Sequence, residues 1–444
     1  MKAPTSTFSK LFALTAVALG AMLSVGQDEL AIDTRPDSSR PRPFVQISEQ
    51  PTTPTVSAIA PIDDTNVFFL NQRGQIGVAK FSPGLSLIGW DYYSKVKLNA
   101  LPSLALGPNY SVVTASTKEL TQSFDTDQDG SLDFFQALVR KWEGQLEGVR
   151  ITAGPVADPH GRLLFALSPF APEDGAPPVA RLVAWNPADQ TLKTVTWSQL
   201  VIGSFALGPD SLLAARLLMP DYEDGYYVSL TELPPVTPAD SKEDPTTLPK
   251  TLPSLLIPAE LTDGKPPTQL CFFFEDGKEK LLLTCPESKQ LIEIVPEKSG
   301  KAWQGSILLR SKTTYPVQSL IEFSPGKLLG GGENGFVPLE INPDLYRITR
   351  ISIAEDVIVL DFSEEVDRLQ AVKPDSYSVQ SVSLRGGKSE VSLQPTVESD
   401  GKTVILKSSE IQDGTVLRVV CQNLPSSSGK ALFNTSVFYT IRQR

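Results

Sequence analysis

Phe205–Leu217 reads FALGPDSLLAARL: an apolar run, a Gly-Pro-Asp-Ser turn and a second apolar run. Pro and Asp supply the backbone angles of a tight turn, so the stretch predicts a β-hairpin. The same unit recurs along the chain. SAIAPIDDTNVFFL surrounds Pro61, LALGPNYSVVTA surrounds Pro108 and PVADPHGRLLFAL surrounds Pro159. CFFFEDGKEKLLLT surrounds Asp276 and IEFSPGKLLGG surrounds Pro325. Successive turn markers lie 47, 51, 50, 67 and 49 residues apart.

A period near fifty that opens on a hairpin has room for four short strands, the unit of a β-propeller blade. Gln75–Phe81, Glu119–Phe124, Leu182–Trp185 and Gln290–Val295 read as third strands. Leu132–Val139, Thr191–Trp197 and Gly305–Arg310 read as fourth strands. Six copies predict a six-bladed β-propeller over 44–345, with Phe44–Ser48 closing the last blade. A β-sandwich, or two unrelated β domains, is the competing architecture. The long interval points to an insertion over 220–267, whose ten prolines suggest an excursion over the surface rather than added core.

After Tyr346 the texture changes to period-2 alternation with turns at Asp400-Gly401 and Asp413-Gly414. About seven strands in residues 346–444 predict an Ig-like β-sandwich, so the fold class is all-β throughout.

The N-terminus has Lys2 and Lys10 before the 15-residue apolar run Leu11–Val25, with small residues at Ser24–Gly26. Residues 1–26 therefore read as a signal peptide and 27–43 as a Pro-rich linker. A membrane anchor is the other reading, but the run is short for a hydrocarbon core about 30 Å thick. The expected location is secreted, periplasmic or cell-surface, with no membrane span in the mature chain. Export permits a disulfide. Cys271 and Cys285, placed symmetrically about Lys278, would then face each other; two buried free thiols are the alternative.

Composition narrows the chemistry. Forty Lys and Arg against 51 Asp and Glu give a formal charge of −11, which excludes a nucleic-acid-binding face. One histidine, His160, leaves no room for a His-rich metal centre, and three cysteines without CxxC spacing exclude a zinc ribbon. GGGENG at 330–335 lacks GK[ST] and a following helix, so it is no phosphate loop. MPDYEDGYY, Met219–Tyr227, reads as a solvated loop whose aromatic residues could stack on a sugar ring.

One motif carries chemistry. Asp125-Thr-Asp-Gln-Asp-Gly-Ser-Leu-Asp133 fits DxDxDGxxD. Ca²⁺ takes six to eight hard oxygens at about 2.3–2.6 Å, and a tight loop can aim several carboxylates inward. The ligand set is Asp125, Asp127, Asp129 and Asp133 with the Ser131 carbonyl, and Gly130 makes the turn. Position 12 is Gln136 rather than the Glu of a helical calcium hand, so the loop belongs on a hairpin, linking a third strand to a fourth. A solvated acidic turn is the bland alternative.

The order of these motifs resembles the six-bladed glucose/sorbosone dehydrogenase-like propellers. The nearest texture is the exported "membrane-bound dehydrogenase" group of planctomycete- and verrucomicrobia-like bacteria. Their DTDGDG-type loop is matched by DTDQDGSLD. Their FAPDGSLFVG strand is matched by Phe323–Gly332 (FSPGKLLGGG). Their Ig-like tail is matched by FSEEVD and VFYTI. The resemblance covers about residues 45–444. It implies pyrroloquinoline quinone as cofactor, a histidine base and arginines on the upper face. Here Val149 and Arg150 stand where a His-Glu pair would fall. His160 sits in a first-to-second-strand turn, which belongs on the opposite face.

The expectation is a secreted, non-catalytic binder of a carbohydrate or protein partner, holding Ca²⁺ and carrying no catalytic residue. A quinone-dependent sugar or alcohol oxidoreductase with a non-His base is the second reading. A structural module of a surface assembly is the third.

Overall fold

The computed structural model describes residues 53–139, 148–169, 179–188, 190–218, 225–233, 253–275, 277–339, 344–383 and 388–442. The signal peptide, the linker, Phe44–Ser48 and residues 219–224 of the aromatic loop lie outside them.

Each predicted hairpin opens a sheet. The first sheet holds β1 (Ala58–Pro61), β2 (Asn66–Leu70), β3 (Ile76–Phe81) and β4 (Leu87–Tyr92). The second holds β5 (Leu104–Leu106), β6 (Val112–Ala115), β7 (Leu120–Phe124) and β8 (Phe134–Val139). The third holds β9 (Val149–Ala157), β10 (Leu163–Pro169), β11 (Ala180–Asn186) and β12 (Thr191–Ser198). The fourth holds β13 (Val201–Leu207), β14 (Leu212–Leu218), β15 (Gly225–Glu232) and β16 (Leu255–Pro258). The fifth begins with β17 (Leu270–Glu275), β18 (Lys278–Cys285), β19 (Gln290–Ser299) and β20 (Ala302–Lys312). The sixth holds β21 (Ser319–Ser324), β22 (Lys327–Gly332) and β23 (Gly335–Leu339). All neighbours pair antiparallel in chain order.

The first strands meet in sequence: β1 with β5, β5 with β9, β9 with β13, β13 with β17, β17 with β21, and β21 back on β1. That cycle makes a propeller-like ring. Its apolar cores lie between neighbouring sheets. Val67, Phe69 and Phe81 of the first sheet pack with Phe323 and Leu329 of the sixth, and Phe68 and Ile76 pack with Leu104 and Val112 of the second. The closure is tight: Val56 donates its backbone N–H to Gly332 at 2.8 Å. A Cβ on Gly331 would stand 2.4 Å from Val56 Cγ1, so only glycine fits.

Two expectations are corrected. The insertion at 220–267 is not all surface excursion, because β15 and β16 within it are the third and fourth strands of the fourth sheet. Cys271 and Cys285 do not face each other. The hairpin pairs Glu275 with Lys278, which places Cys271 opposite Leu282 and leaves Cys285 opposite Gln290. Both are buried free thiols, and burial pushes each up to about 12.

The tail has its own core and also joins the ring. One sheet holds β24 (Ile348–Ala354), β25 (Val357–Phe362), β28 (Gln394–Val397) and β29 (Thr403–Lys407). The other holds β26 (Tyr377–Ser383), β27 (Lys388–Glu390), β30 (Thr415–Cys421) and β31 (Ser436–Thr440). They sandwich Ile348, Ile351, Leu360, Val379, Leu417 and Val437. β31 also pairs antiparallel with β20, Gly305 opposite Thr440 through Leu308 opposite Val437. The fifth sheet thereby runs through eight strands from ring to tail. No helix among the described residues is long and apolar enough to cross a membrane.

Candidate functional site

At the end of the ring where the first strands begin, a cavity of about 340 Å³ opens on the axis. All six sheets, or the segments leading into them, contribute to it. Its uncharged polar lining is hydroxyl and amide: Ser57, Ser103, Thr152, Ser204, Thr268, Gln269 and Gln318. Phe205, Leu101 and several prolines supply apolar wall. Three of the hydroxyl protons are spent on the scaffold. Ser57 Oγ donates to Leu70 O at 2.9 Å, Thr152 Oγ1 to Ile202 O at 2.8 Å and Ser103 Oγ to Pro155 O at 3.2 Å. These oxygens keep their lone pairs free as acceptors, beside apolar surface.

Glu287 is the one charged residue in the described lining. It is exposed and pairs with Lys265 at 3.4 Å. Arg216 stands behind Ser204, donating from Nε to its Oγ at 3.2 Å. Burial pushes the Arg216 guanidinium down to about 10. No nucleophile and base stand within hydrogen-bond reach of each other in this described lining.

Pyrroloquinoline quinone carries carboxylates and would need cations around it. The described lining offers no arginine, lysine or histidine, so these residues do not fit that group. His160 lies at the opposite end of β9, in the turn after Ala157. Its backbone N–H donates to Asp158 Oδ1 at 2.9 Å, as a plain turn residue does.

The acidic loop closes β7 onto β8, with Phe124 opposite Phe134. Carboxylate oxygens of Asp125, Asp127 and Asp129 gather within 4.8 Å of one another. The backbone explains it. Gln128 and Gly130 take left-handed angles, φ 61° and 85°, and fold the chain back. Gly130 N then donates to Asp125 Oδ2 at 3.0 Å. Asp129 N donates to Asp125 Oδ1 and Asp127 Oδ1, each at 3.2 Å. Burial, aided by the Asp129 charge, holds the Asp125 carboxyl above its ordinary value against the pull of those amides.

Two features depart from the sequence reading. Asp133 is not in the trio: its carboxylate accepts from Thr126 N at 3.0 Å and Thr126 Oγ1 at 2.7 Å. These bonds hold it below the ordinary carboxylate range. Tyr93, from the chain after β4, was not anticipated. It is buried, its hydroxyl bonds to Asp125, and its carbonyl accepts from Leu132 N at 2.6 Å. Ser131 is half-buried beside the trio. The trio of carboxylates matches the hard-oxygen chemistry of a divalent cation.

No protein-family model matches the chain, and no curated protein matches it. Solved structures with a similar course include a putative oxidoreductase (glucose dehydrogenase) from Thermus thermophilus. It is 14% identical, with 65% of this chain and 93% of that one covered and a TM-score of 0.40. A Trichoderma reesei carbohydrate-active enzyme of family AA12 is 10% identical, with 68% and 98% covered and a TM-score of 0.44. The N-terminal part of the bacterial S-layer protein SbsC is 21% identical over 22% of this chain and 24% of that one, with a TM-score of 0.20. Similarity at these values says nothing about chemistry; the ring stands on its own strand order.

Proposed function

We propose that the protein is an exported, non-catalytic binding protein whose axial mouth takes a carbohydrate. The observation that carries this reading is the lining of that mouth. Acceptor oxygens and amides beside Phe205 and the prolines suit the alternating hydroxyls and C–H faces of a sugar ring. The same described lining has no acid–base pair to act on the sugar. In this reading the Asp125–Asp133 loop holds Ca²⁺ as a structural ion, and the tail is an Ig-like module built onto the fifth sheet. A protein partner at this mouth is a weaker reading, since about 340 Å³ is a small-molecule volume.

The test is a glycan array followed by calorimetry on the mature chain, with Thr152→Val and Gln318→Ala as mouth variants. A saturable sugar ligand lost in both variants is the expected result. Reconstitution with pyrroloquinoline quinone and Ca²⁺ should give no dye reduction on aldoses, and sustained turnover would overturn the non-catalytic reading.

A further inference from the structure

Away from the axis, five charged side chains are packed together where the fifth sheet meets the tail. β17 supplies Glu275, β18 Lys280, β19 Glu293 and β20 Arg310, and Arg347 comes from the chain entering β24. Glu293 is 0% exposed, Arg310 4%, Lys280 7% and Arg347 8%. Lys280 Nζ lies 2.6 Å from Glu275 and 3.0 Å from Glu293, and Arg310 Nη1 lies 2.6 Å from Glu293 Oε2.

Arg347 is the odd member. Its Nη1 stays 3.6 Å from Glu293 Oε2, too far for a hydrogen bond, and that atom has no other partner. Three cations thus share two carboxylates. A buried cation without a full partner is costly, so a group of three against two is one anion short. Burial first, then the adjacent Arg310, depresses the Arg347 guanidinium, with Glu293 opposing.

A cleft of about 560 Å³ opens on this group. Arg310, Arg347 and Lys312 line it, and among the described residues no Asp or Glu does. Its walls come from the sixth sheet, through Leu328 and Val337, and from the tail, through Phe433. The volume falls within the small-molecule range, and cationic groups beside apolar side chains suit a ligand with one charged end and one apolar end.

We propose that this cleft binds a small organic carboxylate, its head group answering Arg347 and Lys312 and its apolar body lying against Leu328, Val337 and Phe433. The site is separate from the axial mouth, so either can fail without the other.

The experiment is calorimetry on the full mature chain with octanoate and benzoate. Octanol serves as the neutral counterpart and inorganic phosphate as the charge-only probe. Saturable binding of a carboxylate, with octanol and phosphate each weaker by about tenfold or more, is expected. Arg347→Gln should weaken the carboxylate by about tenfold or more. Lys312 is exposed, so Lys312→Glu tests the same point in a chain that keeps its fold if Arg347→Gln does not. Crystals soaked in 4-bromobenzoate should show anomalous bromine signal within the cleft. No saturable carboxylate binding, octanol or phosphate binding as well as octanoate, or an unchanged affinity in Lys312→Glu overturns the proposal.

Discussion

Phe438→Ala should weaken the ring and the tail together. Phe438 lies in the strand that the two share. Its neighbours Val437 and Tyr439 face the sandwich core with Leu308. Phe438 itself turns the other way, into the ring cluster with Leu256, Ile257 and Ile307. It is 3% exposed and sits directly across from Ile307. Truncating a buried phenylalanine costs about 3–5 kcal/mol, transfer and cavity together. Residues 53–442 span roughly 390 positions. At about 2.1 cal/mol/K per residue the unfolding entropy is about 0.8 kcal/mol/K, so the midpoint should fall by about 4–6 °C. Scanning calorimetry reads this directly. The native chain should unfold in one transition. Phe438→Ala should lower it, whereas Leu369→Ala, on a 78% exposed tail side chain, should not. Two independent transitions in the native chain, or a Phe438→Ala shift below about 1 °C, would refute the coupling.

Three further outcomes follow. If the acidic trio holds Ca²⁺ with the affinity of extracellular modules, Kd about 10⁻⁴–10⁻³ M, then 1 mM Ca²⁺ adds about 0.4–1.4 kcal/mol. Calorimetric titration should show one site, lost in Asp125→Asn; no binding at millimolar Ca²⁺ sinks the assignment. Glu279 is raised from 4.5 to about 7 by burial and then by the Asp210 charge. Its folded form therefore holds the proton more tightly than the unfolded chain. That contribution is complete below about pH 4.5 and is lost as pH rises through about 7. Glu279→Gln should flatten denaturant stability across that window, and an unchanged pH slope would count against it. Gly331→Val would set a Cβ 2.4 Å from Val56 Cγ1 and 2.9 Å from Ile59 Cδ1. Overpacking of this kind costs about 1–3 kcal/mol, readable as a lower urea midpoint.

The ring was legible because its signals are local. A Pro, Gly or Asp turn between apolar runs occupies about a dozen residues, and six such hairpins became β1–β2 through β21–β22. The spacing between them left room for the outer strands, which fell where the sequence placed them. What failed was either masked by composition or long-range. Ten prolines hid β15 and β16, although Gly225–Glu232 (GYYVSLTE) is a plain strand pattern once the sheet is seen. The Cys271–Cys285 symmetry assumed a turn centred on Lys278, whereas the ladder closes at Glu275 opposite Lys278. The β20–β31 ladder joins residues more than 120 apart, and no local pattern announces it. The same division holds at the sites. Asp125, Asp127 and Asp129 share one loop, so a sequence motif can set them together, whereas Tyr93 comes from about thirty residues upstream. The axial mouth draws between one and five residues from each sheet or the segment leading into it, so no motif marks it.

The placement of charge bears on what the tail is for. A spacer would hang from a flexible link, with its own core and no shared ladder. Here β31 fills the outer edge of the fifth sheet, and Arg442 donates to Pro253 O at 2.8 Å and Ser254 O at 2.9 Å. Arg350 and Tyr439 both bond Glu297, at 2.7 Å each, and Arg347 enters the buried charge group. These contacts cross the seam from several directions, so the tail's orientation on the ring is over-determined. An unpaired outer strand is an invitation to pair with another chain, and at the fifth sheet that invitation is already answered from within. A fixed tail also supplies Phe433 and Arg347 to a cleft that the ring alone could not form. The tail therefore builds part of that cleft's wall, and cutting it away should cost the cleft and expose the edge of β20 at once.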